Sequence, residues 1–315
     1  MRRLGFALLI LIFASVGCGD DKPHGNGGCG PMMCTGGGAP YDLNGRFGVL
    51  VQLFVDVQAA GGLIDQKGLE SDLLLLADVT QSGGTAMLGV QVCDLALPPV
   101  PVRNAKPLTF QLDPSLLASV GTVMSAGMID GSTTCSNIVQ PAPLILVLGA
   151  KLHDPQHDML PTYDSNAGTY MACGGSLKPC SMASAPASGG CVCDQETDGK
   201  LGATLGVMNA PVFADLNKAY VALRTNVNLT GKVFSSDQIA GTVDATLEQV
   251  ILGCQRSGTD CSNGDVGLVQ GVSPVITQSD NSKDACLTST FIGKRVPATT
   301  DCTALKAMKA SLFGL

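Results

Sequence analysis

Apolar and polar residues alternate with period two over long stretches of this 315-residue chain. Val49, Val51, Leu53, Val55 and Val57 fall on one face of an extended segment, with Gln52 and Asp56 on the other. That is the pattern of a strand with one buried face. Residues 72–80 and 85–97 continue it, with Gly83-Gly84 at the turn between them. The run 72–80 is apolar on both faces, as expected for a strand covered on two sides. Pro98, Pro99 and Pro101 end the ladder, because proline has no N–H to donate. Residues 106–112 are a further strand candidate, and 144–148 form a short, continuously apolar run that reads as a buried strand.

The clearest signal comes later. Val221, Leu223, Thr225, Val227 and Leu229 alternate with Tyr220, Ala222, Arg224, Asn226 and Asn228. Ile239, Gly241, Val243, Ala245 and Leu247 alternate likewise with Ala240, Thr242, Asp244, Thr246 and Glu248. Two strands of about ten residues with a turn between them make a long hairpin. A helical spacing of Val243, Leu247, Val250 and Ile251 competes, and the uninterrupted period-two stretch before it decides for a strand. Helices are few. Asp113 as N-cap and Pro114 at the first position open one, with Leu116, Leu117, Val120, Val123 and Met124 as its apolar face. Asp301 caps another at the C-terminus, whose Ala304, Leu305, Met308 and Leu312 suit a helix lying across the open end or edge of a sheet. The fold class expected is mostly β: long antiparallel hairpins in a barrel-like or two-layer sheet, with few short helices and disulfide-stapled loops. An outer-membrane barrel is the alternative for such strands. Dense cysteines and too few recognisable strands disfavour it.

The first residues carry a different pattern. Met1-Arg2-Arg3 is basic, and Leu4 to Val16 is an apolar run of thirteen residues ending in small ones, the layout of an export signal and too short to span a bilayer, which takes about 20. Ser15-Val16-Gly17-Cys18 resembles the lipobox of bacterial lipid-anchored lipoproteins, departing from it by Ser15 where that family prefers Leu. The resemblance covers this segment alone and implies cleavage before Cys18 and a diacylglycerol on its thiol. Cysteine parity agrees: of 13 cysteines, lipidation of Cys18 leaves an even set. Ser15 and Gly17 also satisfy ordinary secretory cleavage, so a freely secreted protein is the alternative. The organisation expected is a signal peptide over 1–17, a lipid-anchored Gly-rich tether over 18–41, a β-rich half over 42–150, a Cys-rich loop region over 151–200, and a second β-rich half with the C-terminal helix over 201–315. A four-residue match, Leu43-Asn44-Gly45-Arg46 against Leu229-Thr230-Gly231-Lys232, raises an internal duplication. The location expected is the cell envelope, on the outer membrane, with the bilayer contacted through the lipid.

Composition narrows the partners. Without Arg2 and Arg3 the chain has 17 basic against 26 acidic residues, which argues against nucleic acid, whose binding rests on phosphate neutralisation. Trp is absent, so stacking platforms for sugars or single strands are weak. The other twelve cysteines are Cys29, Cys34, Cys93, Cys135, Cys173, Cys180, Cys191, Cys193, Cys254, Cys261, Cys286 and Cys302. Most occur as local couples, no C-x-x-C is present, and six disulfides are expected with a connectivity that spacing does not give.

Candidate chemistry is sparse. Asp194, Glu196 and Asp198, followed by Gly199, resemble the opening of an EF-hand calcium loop. Leu205 stands where that loop has its bidentate Glu, so a helix-free calcium loop is the form that fits. His153 and His157 are four apart, but Pro155 between them opposes a helix and no zincin-type Glu is at hand. His24 lies in the tether. No Gly-x-Ser-x-Gly elbow or phosphate-cradling Gly-x-x-x-x-Gly-Lys occurs, so catalytic residues are not expected. The sequence favours a non-enzymatic envelope lipoprotein serving as a structural or interaction module. The alternatives are a carrier of an apolar ligand such as a lipid within a β-sheet cavity, and a metal-dependent hydrolase on His153, His157 and nearby carboxylates. A cavity between the sheets separates the first two.

Overall fold

Strands with one apolar face bury it only by facing one another, and a sheet long enough can do so by closing on itself. That is what this chain does. The structure, a computed structural model, describes residues 32–35, 37–59, 62, 64–102, 104–140, 142–171, 189–282 and 284–315. The export signal, Cys18, Cys29, Cys173 and Cys180 lie outside the described residues.

β1 (Gly45–Ala59), β2 (Ile64–Ser82) and β3 (Thr85–Ala96) form a meander. β4 (Thr109–Leu112), α1 (Pro114–Ser119), β5 (Thr122–Ile129), β6 (Asn137–Val139) and β7 (Leu144–Leu148) follow. Residues 150–192 contain the short strands β8 (Ala150–Leu152), β9 (Thr162–Asp164), β10 (Thr169–Met171) and β11 (Gly190–Val192). The second half holds β12 (Ala203–Met208), β13 (Leu216–Ser235), β14 (Gln238–Arg256), β15 (Thr259–Asp260), α2 (Asn263–Gly271), β16 (Val275–Gln278), β17 (Thr290–Val296) and α3 (Cys302–Phe313). Hydrogen bonding runs β14-β17-β1-β2-β3-β5-β6-β13 and returns from β13 to β14. Every pair is antiparallel. The result is a closed ring of eight strands, drawn from both sequence halves. Its C-terminal strand β17 is inserted between the first strand and the long hairpin.

The ring has two unlike ends. At the end holding the β2–β3 and β13–β14 turns, Phe47, Val51, Ala77, Val90, Val233 and Phe291 fill the interior. Arg295 closes it. Its guanidinium lies 4.9 Å over the Phe47 ring and donates to the carbonyls of Asp42, Asn44 and Ser236 and to the Asp237 carboxylate. Cys34 is bonded to Cys135 at this same end, where Cys135 donates its N–H to the Val233 carbonyl. At the opposite end β6 and β17 have stopped. β7 takes over beside β13, β16 takes over beside β1, and β12 and β4 extend the sheet outward from β13. The ring opens there into two layers, filled by Leu116 of α1 and Val266 and Val269 of α2.

Apolar side chains point inward and charged pairs such as Arg46–Asp78 sit outside, the reverse of a membrane barrel with its apolar girdle and polar lumen. The doubly apolar stretch of β2 is covered on both faces, as its pattern requires. Leu73 and Leu75 face the interior, while Leu74 and Leu76 pack outside against Leu305 and Phe313 of α3. Here the structure corrects an expectation: α3 lies on the outer face of β1–β3, not across an end or edge. Gly48 makes that seat possible, since a Cβ there would sit 2.5 Å from Leu305 Cδ1. Cys93–Cys302 fastens the helix to β3.

Three further differences have physical causes. β13 and β14 are 20 and 19 residues long, twice the expected length. Bulges near Leu216 and Tyr220 break the alternation, and outward residues such as Ala222 and Leu252 are themselves buried. The helical spacing of Val243 to Ile251 is not realised. The short match that suggested a duplication has unlike settings, since Gly45 opens β1 whereas Gly231 sits mid-strand opposite Gly241. Finally, the couples 29/34 and 286/302 are not the disulfides: Cys34 pairs with Cys135 and Cys302 with Cys93, 101 and 209 residues away. Cys254–Cys261 is local, and Cys191 and Cys286 are also disulfide-bonded.

Candidate functional site: an apolar cavity in the open half of the barrel

The residues that sequence reasoning singled out for chemistry are engaged in holding loops. Asp194 accepts from the N–H groups of Asp198 and Gly199 at 3.1 and 2.9 Å, and Asp198 accepts from Lys200 N–H and the Thr204 hydroxyl, both at 2.9 Å. Glu196 points inward, where its Oε1 accepts from the Thr204 N–H at the start of β12. Among the described residues, no group of three or more His, Cys, Asp or Glu is placed to hold a metal ion. His157 Nδ1 contacts Asp154 Oδ2 at 2.8 Å on an exposed turn closed by Asp154. Buried Arg224 fastens that turn from β13, donating to the carbonyls of Pro155 and Asp158 and to Glu248. The two histidines thus sit on a pinned surface loop.

Glu196 is 9% exposed and its Oε2 has no hydrogen-bond partner. Burial pushes its carboxyl above the usual carboxylate range, and the charges of Asp198 and Asp113 add to the effect. A carboxyl raised in the folded state stabilises the fold fully below its unfolded pKa, and that contribution is lost as pH rises through the folded value. Glu196→Gln is therefore expected to gain stability relative to the parent as pH rises from about 4 to about 8. Urea midpoints across that window measure it; a constant gap between the two proteins would remove the argument.

The cavity is elsewhere, inside the two-layered half. It has a volume of about 150 Å³. β1 contributes Leu53, Val55 and Val57, and β2 contributes Leu69, Ser71 and Leu73. The facing wall is Leu223 and Thr225 of β13 with Leu247 and Gln249 of β14. Short strands close the sides: Phe110 and Leu112 from β4, Leu146 and Leu148 from β7, Leu205 from β12, Ile276 from β16. These side chains converge because the same alternation that fills the sealed half continues into the open half. None of the described lining residues is charged. Of the polar ones, Ser71 donates to the Ala96 carbonyl at 3.0 Å and Gln249 Nε2 to the Pro274 carbonyl. Protein interiors pack to crystal-like density with few voids larger than a water, so an apolar space of this size is a departure. An apolar cavity of this kind suits hydrocarbon and offers little to a polar solute.

The sequence pattern placed β1, β2, β4, β7 and the hairpin, which supply most of the walls, but not β12, α2 or β16. Ala203, Leu205 and Val207 alternate in β12 over only six residues. The Ser262–Asp265 capping box of α2 was a readable signal, obscured by three glycines in the helix that follows. No family model, curated protein or solved structure matches the chain.

Proposed function

We propose that this protein is an exported, lipid-anchored, non-catalytic binding protein of the cell envelope whose barrel carries a small apolar ligand. The observation that carries the reading is the uncharged cavity of about 150 Å³ between β1–β2 and β13–β14. An eight-stranded barrel is just wide enough either to be filled by side chains or to hold one small ligand, and here one half is filled and the other is not. The sealed half receives the N-terminal segment through Cys34–Cys135. A lipid on Cys18 would therefore hold the protein by the end opposite the cavity, leaving the open half accessible.

A second reading, a structural or interaction module, draws on a different surface. Met87, Met124, Met128 and Val139 lie on the outer face of β3, β5 and β6, between 45% and 64% exposed. Neighbouring flexible apolar side chains of this kind favour adaptable protein contacts.

Native mass spectrometry of the full chain, exported to an oxidising compartment, separates the two. The carrier is expected to retain an added mass of roughly 100–200 daltons, the size of guest such a cavity holds, that solvent extraction removes. A bare protein that also fails to take up any alkyl probe would leave the interaction module standing alone.

A further inference from the structure

We infer that the cavity is entered through a crevice beside Phe213, and that its ligand is a single unbranched aliphatic chain with an uncharged head group. The inference rests on the carrier reading above and specifies its substrate class and route. The crevice, about 70 Å³, is framed by the 210–213 loop between β12 and β13, by Val269 and Val272 at the end of α2, and by Ala59 and Ile64 where β1 meets β2. It shares two walls, Phe110 and Pro274, with the barrel cavity. A chain passing between those two side chains would join both spaces into one curved path. Such a path accepts a flexible chain and excludes rings or branched bodies.

Charge defines the head group. None of the described residues lining either space is charged. Beside the crevice, Arg256 lies 5.3 Å over the Phe213 ring and is paired with both Asp215 and Asp265. Two carboxylates against one guanidinium leave this cluster net negative and its guanidinium engaged, which disfavours a carboxylate or phosphate arriving beside it. Next to these walls Val212 and Val275 are 45% and 64% exposed, apolar surface that a hydrocarbon chain would cover on entry. Gln249 sets the width of the passage. Its side chain lines the barrel cavity while its Nε2 holds the Pro274 carbonyl, so it is a positioning residue for one of the two gate walls.

The test is a chain-length series of primary alkanols, from hexanol to tetradecanol, titrated into the exported full-length protein. Each buried methylene contributes about 0.8 kcal/mol, about fourfold in affinity, so affinity should climb with length until both spaces are filled. Ser273→Trp and Ala210→Trp, which block the crevice from different elements, should leave short alkanols unaffected and end the climb early. Alkanoates, ionised at neutral pH, should bind at least about tenfold more weakly than alkanols of equal length. Absence of binding by short alkanols in the parent protein would refute the carrier reading itself. Binding of short alkanols with an unshortened climb in both crevice variants would refute the route, and equal affinity for alkanoates would refute the neutral head group. A cooperative urea transition and an unchanged far-ultraviolet circular dichroism spectrum in each variant confirm that the comparison is between folded proteins.

Discussion

Thr225→Trp is expected to weaken apolar-ligand binding about fiftyfold while the barrel remains folded. Thr225 projects inward from β13 between Leu223 and Val227, opposite Leu247 of β14 and Leu146 of β7. An indole at this position fills space that three methylenes of ligand would otherwise occupy, and at about 0.8 kcal/mol each the loss is about 2.4 kcal/mol. Adding the same bulk to a tightly packed core costs about 1–3 kcal/mol of stability. Projecting into the cavity it should cost less, because the ring gains contacts instead of displacing packed side chains. Thr225→Val, which keeps the shape and drops the hydroxyl, should bind as the parent does. Titration with an alkyl fluorophore and urea unfolding of the three proteins decide the matter. Strong destabilisation by Trp with unaltered probe affinity would mean that the ligand site is not here.

Removal of the Cys93–Cys302 bond should lower the unfolding free energy by about 4 kcal/mol. The bond joins residues 209 apart, and closing a loop of that length in the unfolded chain is where most of the stabilisation is thought to arise. Other disulfides already divide the chain, which shortens the effective loop. The local consequence is more specific. α3 covers Leu50, Leu74 and Leu76 on the outside of β1 and β2, and once untied it is held only by the packing of Leu305, Phe313 and their neighbours and by ion pairs such as Lys309–Asp72. The Cys93→Ala, Cys302→Ala protein is expected to unfold roughly 10 °C lower and to bind a hydrophobic dye before the barrel melts. An unchanged midpoint with no early dye signal would show that packing alone suffices.

The legible parts of this fold are those whose cause is local. The alternation of Val49 to Val57 exists because each inward valine has an outward neighbour in water or under a partner, and it can be read from five residues. The apolar run in β2 announced a cover on both faces, though not which element supplied it. That knowledge needs the small volume of Gly48 and the seat of Leu305, 257 positions later in the chain. Ring closure through β17 and the bonds Cys34–Cys135 and Cys93–Cys302 are likewise long-range. Spacing carries no trace of them. The carboxylates 194, 196 and 198 stood out because oxygen side chains at alternate positions suit a cation, yet the same spacing lets an aspartate bind its own following amides, as Asp194 does. The cavity was the hardest to foresee. It is a difference between wall separation and side-chain volume, and a sequence lists only the side chains.

The Cys34–Cys135 bond has a mechanical consequence. The described chain begins at residue 32, Cys34 is cross-linked to Cys135, and Cys135 is hydrogen-bonded to β13 close to its hairpin turn. A pull on the N-terminal segment reaches the barrel through a covalent cross-link before it loads any edge of the sheet. The bonds of β1 to β2 and β17, which a tug on an untied N-terminus would peel one by one, are shielded from the force. A protein fastened to a surface and jostled by its surroundings would keep its sealed end intact under tension, and with it the geometry of the chamber beyond.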